Sequence, residues 1–123
     1  MASRVVPVKF NRTDALSLWH DVTLSSVLDE GPDLLPRQIV ILTTIYLDQK
    51  AHTVRSLAHK LNVTKAVITR AIDSLEAQKL LRRCPDPADK RSIIIERTPK
   101  GTVYLTRFAD NIRESLKSQG RVA

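Results

Sequence analysis

Cysteine, glycine and aromatic side chains are scarce in this sequence, and each scarcity closes off a class of protein. The single cysteine, Cys84, can neither form an internal disulfide nor assemble a zinc site alone. A disulfide-stapled secreted fold and a zinc domain are therefore excluded, and a reducing compartment fits. Three glycines leave no glycine-rich phosphate loop. His20, His52 and His59 lie apart, with no carboxylate or cysteine at ligand spacing, and the Ser, His and Asp residues compose no nucleophile motif. No metal, no cofactor and no catalytic residue is expected, and an enzyme has no positive support. No apolar run approaches the roughly 20 residues of a membrane span, and Met1 to Asn11 lacks the apolar core of a signal peptide. A cytoplasmic location without a membrane partner follows as the expectation.

What is present suits a single folded domain spanning residues 1–123. At 42% hydrophobic and 27% charged residues the chain matches a globular composition. Its net charge of +7 is concentrated. From Thr53 to Gly101 there are eleven Lys/Arg against five Asp/Glu, whereas Met1 to His52 carries five against six. A basic stripe on one part of a domain is the footprint of a polyanion binder. A merely solvated charged surface fits the charge as well, so other features have to decide.

Periodicity lays helices along the chain. Thr13 is positioned to cap a helix through Leu28 with Ala15, Leu18, Trp19 and Val22 on one stripe, ended by Asp29 to Pro32. Pro36 opens a second helix to about Gln49, whose Ile39, Val40, Ile41, Leu42, Ile45 and Leu47 are apolar on more than one side, the pattern of a buried central helix. Thr53 caps a helix of about two turns with Val54, Leu57, Ala58 and Leu61 inward, followed by a tight turn at Asn62 and Val63. Thr64 caps the next helix. Its Ile68, Ala71, Ile72 and Leu75 face inward, while Ala66, Thr69, Arg70 and Asp73 point the other way, flanked by Lys65 and Val67.

That sequence of helix, turn and helix reads either as a helix-turn-helix or as an ordinary helical hairpin. The following residues decide between them. Arg82, Arg83 and Cys84, a Pro/Asp/Ala break, Lys90 and Arg91, then the run Ile93 to Ile95 make a short β-hairpin, and Thr98-Pro99 starts another helix. A helix-turn-helix followed directly by a hairpin is a winged helix. The fold expected is mainly α with a small β-hairpin wing, a winged helix-turn-helix over 53–101, with flanking dimerisation helices at 10–30 and 98–118. In such a fold Arg91 reaches the DNA minor groove, where negative potential attracts arginine. Asp89, two residues away, is expected to orient that guanidinium in a bidentate pair.

The stretches LAHKLNVTKAVITRAIDSLEAQKLLRR and DPADKRSIIIERTPKG resemble the MarR family of bacterial transcription regulators from Leu34 to about Leu116. The Asp-x-Arg wing motif at Asp89 and Arg91, followed by Thr98-Pro99-Lys100-Gly101, is the most specific part. The resemblance implies a homodimer with two winged lobes, bound to double-stranded DNA at a pseudo-palindromic operator, usually as a repressor in the bacterial cytoplasm, associated with the nucleoid. It implies recognition-helix contacts at Thr64, Lys65, Ala66, Val67, Thr69 and Arg70, and wing contacts at Lys90 and Arg91. Release by a small molecule, or by cysteine oxidation in one branch, is also a family property. Two departures stand out: Lys79 where a glycine commonly precedes the first wing strand, and less helix at both ends than the family usually has.

The residues themselves offer a dimer seam. Leu105, Phe108, Ala109, Ile112 and Leu116 repeat at packed-stripe spacing, and either a second chain or the chain's own winged lobe satisfies it. The two-fold symmetry of operator binding favours the second chain. Trp19, His20 and Tyr46 could line a ligand cleft, but aromatics at helical spacing are more often core, and no effector is assigned. Cys84 reads as a structural thiol or, beside Arg82 and Arg83, as one of lowered pKa. A different class, a winged-helix module that docks a protein, calls for an apolar, uncharged recognition face. Ala66 and Val67 meet that condition and Lys65 and Arg70 do not.

Overall fold

Capping chemistry sets where the helices of this chain begin. In the computed structural model, which describes residues 9–120, the elements run α1 Arg12–Leu28, α2 Pro36–Leu47, α3 Val54–Leu61, α4 Lys65–Ala77, β1 Leu81–Pro85, β2 Ile93–Arg97 and α5 Pro99–Ser118. Most of the Met1 to Asn11 stretch considered for a signal peptide lies outside the described residues. The elements form two compact units: one from Pro32 to Thr106, the other comprising, among the described residues, Lys9 to Gly31 and Arg107 to Gly120. The expected helix-turn-helix and wing fall wholly in the first, and α5 begins there and ends in the second.

In the winged unit, α3 opens on a reciprocal capping box. The Thr53 hydroxyl accepts the Ser56 N–H at 3.0 Å and the Ser56 hydroxyl accepts the Thr53 N–H at 2.9 Å. The helix closes at Asn62 in the left-handed region, φ 55, which a short polar side chain tolerates better than most. Thr64 then caps α4 through the Val67 N–H at 3.3 Å. Ile68, Ala71, Ile72 and Leu75 are all buried. They join Ile41, Leu42, Ile45, Leu57, Ala58, Leu80, Leu81, Ile95 and Leu105 in one core. The strands pair antiparallel, Leu81 opposite Arg97 and Pro85 opposite Ile93. A bridge from His52 to Ile95 adds a one-residue third edge, with the Ile95 N–H donating to the His52 carbonyl at 2.8 Å.

Two expectations for α2 are corrected. The helix ends at Leu47, and it is buried on one side rather than all round: Val40 is exposed and Leu47 is 77% exposed. Two polar residues share its inner side instead. Thr44 is buried because its hydroxyl donates back to the Val40 carbonyl at 2.6 Å. Gln38 is buried because its carboxamide oxygen accepts the Leu35 N–H at 2.8 Å and its nitrogen donates to Ser74 Oγ at 3.1 Å.

The junction from α4 to α5 explains two residues of the wing motif. Lys79 has φ 63, a left-handed position where a glycine would be unstrained. It is held there by its N–H to the Glu76 carbonyl at 2.9 Å and by its carbonyl accepting the Thr98 hydroxyl at 2.7 Å. Thr98 Oγ1 also accepts the Gly101 N–H at 3.0 Å and so caps α5. Gly101 is buried against the Leu80 carbonyl so closely that a Cβ would overlap it.

In the terminal unit the cap of α1 is Asn11 rather than Thr13. Asn11 Oδ1 accepts the Asp14 N–H at 2.9 Å and Asp14 Oδ2 accepts the Asn11 N–H at 3.1 Å. An Asn-x-x-Asp box satisfies two orphan donors where a lone Thr13 would satisfy one. Of the expected stripe, Val22 is buried and Leu18 half-buried, but Ala15 and Trp19 are exposed. Leu16, Trp19, Leu24, Val27 and Leu28 are all exposed, and at 100° per residue they span about half of the helix circumference. Asp29 meets Arg107 at 3.6 Å.

Candidate nucleic-acid interface

The outward side of α4 is built of side chains that the rest of the unit leaves alone. Thr64, Lys65, Ala66 and Arg70 are exposed, and Val67 and Thr69 are half-buried at the margin. Among the described residues no ion pair engages Lys65 or Arg70. The helix stays in register because its opposite side is fixed to the core, and because Ser74 is tied to Gln38 on α2.

Part of the basic charge read in the sequence is neutralised within the unit. Arg83, on β1, reaches back to α4, with one guanidinium nitrogen 2.7 Å from Asp73 Oδ1 and the other bonded to Glu76. Its backbone N–H also donates to Glu76 Oε2 at 3.1 Å. These bonds, backbone first, hold the Glu76 carboxyl below its ordinary pKa, and the Asp73 bond foremost raises that of Arg83. The clamp joins α4 to the first strand of the wing. Arg82 pairs with Glu96 at 3.3 Å.

Cys84 is set apart from redox chemistry by the same cluster. Its thiol donates to Glu96 Oε1 at 3.1 Å. That bond, then burial, pushes its pKa up, outweighing the nearby Arg82. The two arginines that suggested a thiolate are both occupied by carboxylates, so the reading of a lowered pKa is corrected.

At the wing tip Lys90 and Arg91 are exposed, the Arg91 side chain 94% so. Asp89 does approach it, but by one contact, Nε to Oδ1 at 3.6 Å, and not by a bidentate pair. The carboxylate is committed to the loop: Oδ1 accepts the Arg91 N–H at 3.1 Å and Oδ2 the Ser92 hydroxyl at 3.3 Å. Asp86 does similar work, accepting the Ala88 N–H at 2.9 Å. Asp89 thus shapes the backbone that carries Arg91 and touches its guanidinium by a single contact.

The expected dimer stripe is divided by its surroundings. Leu105 belongs to the core of the winged unit, so the part assigned to it in a seam is corrected. In the terminal unit Phe108, Ile112 and Leu116 are half-buried and Ala109 is exposed. Trp19 and His20 are exposed on α1, while Tyr46 lies in the winged unit beneath the Arg97 guanidinium, 5.2 Å from its ring centre. Among the described residues no group of three or more His, Cys, Asp or Glu could hold a metal ion, and no helix is long and apolar enough to cross a membrane.

A family model described as MarR family matches residues 34–93, which run from the end of the α1–α2 connection through both flanks of the wing tip. This segment, just under half of the chain, is similar to the MarR family. Solved MarR-like structures extend the likeness beyond it. The transcriptional regulator Tm0710 from Thermotoga maritima is 25% identical over 87% of this chain and 72% of its own, with a TM-score of 0.71. BldR, a transcriptional regulator from Sulfolobus solfataricus, is 27% identical over 88% and 74%, at 0.60. The S. aureus MepR–DNA complex is similar in fold at 22% identity, over 88% and 84%, at 0.70. No curated protein gives a significant match. The mainly helical winged architecture with a two-stranded hairpin is therefore that of MarR-type transcription regulators, and no enzyme family is indicated.

Two features of this interface escaped the sequence. The Arg83 clamp links residues seven and ten apart through a turn, and no periodic pattern signals such a pairing. Gln38 is polar at a position where the helical pattern calls for an apolar residue. That interruption was the available signal.

Proposed function

We propose that the chain is a sequence-specific DNA-binding repressor of transcription that acts as a homodimer in the bacterial cytoplasm. The observation that carries this reading is the exposed cationic face of α4, whose Lys65 and Arg70 have no ion-pair partner among the described residues, next to a wing tip whose Lys90 and Arg91 project into solvent while the carboxylates near α4 are occupied by Arg83. Lys65 and Arg70 suit phosphates and guanine edges, Thr64 and Thr69 suit either base type, and Ala66 and Val67 suit thymine methyls in the major groove. Arg91 enters the adjacent minor groove. MepR has been solved with DNA, and the likeness of fold supports the same mode here. The exposed apolar arc of α1 supports pairing with a second chain, aided by Phe108, Ala109, Ile112 and Leu116 of α5. Two-fold pairing would match a pseudo-palindromic operator. MepR has also been solved with ethidium bromide, but no effector is assigned to this chain.

Selection of duplexes from a random pool by the full chain tests the reading. A palindromic consensus is expected, with log K falling against log salt by about 0.9 per phosphate neutralised. Arg70→Ala should cost about 1 to 3 kcal/mol and relax preference at particular positions. Arg91→Ala should weaken many duplexes alike. Asp89→Ala should do the same to a smaller degree, because the loop loses its shape while the cation remains. No consensus and no salt dependence would leave a protein-docking module in its place.

A further inference from the structure

The reading face does not stop at α4. A groove of about 220 Å³ lies between the start of α2 and the middle of α4, lined by Leu35, Arg37, Gln38, Val67, Arg70 and Ala71. Arg37 and Arg70 are its charged residues, both exposed, and no carboxylate lines it. Among the described residues neither arginine has an ion-pair partner. Three residues beyond Arg70 on the outward side of α4, Asp73 is tied, like Glu76, by Arg83. A polyanion laid across the start of α4 is therefore drawn toward the Arg37 side.

The separation between the groove and the reading helix is fixed. Gln38, beside Arg37, is 8% exposed and bridges the Leu35 N–H to Ser74 on α4. Ser74 lies one turn beyond Arg70 on the same helix. Arg37 is thus carried at a set distance from the residues that face the bases, on an element outside the helix-turn-helix. Ligands suited to such a place are singly charged tetrahedral oxyanions, which a guanidinium meets with two parallel N–H bonds.

We propose that this groove takes one backbone phosphate of the bound duplex, with Arg37 as its cation. The inference rests on the DNA reading above and adds to it. The duplex is gripped on two sides of α4, by Arg37 at the start of α2 and by Lys90 and Arg91 on the wing. Arg37 fixes register and carries no sequence information, as phosphate contacts do, whereas Arg70 at the groove's other rim remains free to reach a base edge.

The test compares the full chain with Arg37→Ala and Arg37→Lys on one selected duplex and on a scrambled one, across a salt series. For Arg37→Ala the salt slope should fall by about 0.9 per bound chain. Affinity should drop by the same factor, on the order of tenfold, on both duplexes, and melting temperature should not change. Arg37→Lys should keep the slope, since the charge remains. If the parent binds with a steep slope and Arg37→Ala matches it, the groove holds no phosphate and the DNA reading stands. A loss confined to the selected duplex would make Arg37 a base reader and overturn the proposal. If the parent itself shows no salt dependence, both readings fail together. Should inorganic phosphate alone, at constant ionic strength, bind the parent but not Arg37→Ala while leaving duplex affinity unchanged, the groove is a site for free anion and the backbone assignment is overturned.

Discussion

The two units of this chain put the apolar residues of their helices to opposite ends. In the winged unit Ile68, Ala71, Ile72 and Leu75 recur along α4 and all are buried with Ile41, Leu57 and Ile95 in one core. In the terminal unit Leu16, Trp19, Leu24, Val27 and Leu28 recur along α1 and all stay exposed, Trp19 at 59% and Leu28 at 74%. Val22 is the buried apolar residue of that unit among those described. A helical period states that one side of a helix avoids water. It does not state what covers that side. The winged unit supplies its own cover, and the terminal unit presents an apolar surface of the kind that marks an interaction site.

The largest expected effect falls on the self-sufficient unit. Ile72→Ala should lower unfolding free energy by about 2 to 5 kcal/mol, through lost transfer energy and the cavity left behind. Chemical denaturation should show that loss at every protein concentration. A loss below about 1 kcal/mol would mean that the core of the winged unit is looser than its burial implies.

A smaller effect with a different signature is expected from the other unit. Trp19→Ser should leave the chain folded and weaken dimerisation by about tenfold or more, because large aromatic residues concentrate interface energy. Sedimentation across a dilution series reads it, and the stability of the parent should itself rise with concentration. A parent that is monomeric throughout, with Trp19→Ser indistinguishable from it, would remove the contrast between the units.

Lys79→Gly should sharpen the account of the α4–β1 junction. Relief of the left-handed strain at φ 63 should raise stability by about 1 kcal/mol, less what glycine adds to the entropy of the unfolded chain. Equal or lower stability would show that the Thr98 hydrogen bond already compensates for the strain.

The smallest effect concerns the Arg83 clamp. The Glu76 carboxyl has its pKa lowered by the Arg83 backbone and side-chain bonds. Its contribution is therefore present above the unfolded value of about 4.3 and is lost as pH falls through the lower folded value. The stability gap between the parent and Glu76→Gln should close on acidification through that window. Because both partners are partly exposed, the gap is modest. A gap that stays constant with pH would detach the clamp from Glu76 ionisation.

Much of the winged unit was legible beforehand. Thr53 and Thr64 cap as their residue types demand, Asn62 takes the left-handed turn, and the break at Pro85 to Asp89 separates two strands. These are local effects, settled by a residue and its neighbours within four positions. What the sequence left obscure was the partner of each surface. Arg82 and Arg83 counted toward the basic stripe, and Glu96, Asp73 and Glu76 beside them neutralise that part of it. Thr13 resembled the cap of α1 until Asn11 and Asp14 formed the better box. Leu105 fitted a seam by spacing and was taken by the nearer core. The hairpin lies where the resemblance put it, between β1 and β2, and Thr98 and Gly101 gain a physical role in closing the α4–α5 junction.

The central claim is that the winged unit reads the duplex while the terminal unit brings a second chain to it. The number of chains on a selected duplex tests this most directly, measured by native mass spectrometry at concentrations near the dissociation constant. The account predicts two chains per duplex for the parent, and single occupancy with weakened binding for Trp19→Ser. One chain per duplex at full affinity, unchanged by Trp19→Ser, would contradict it.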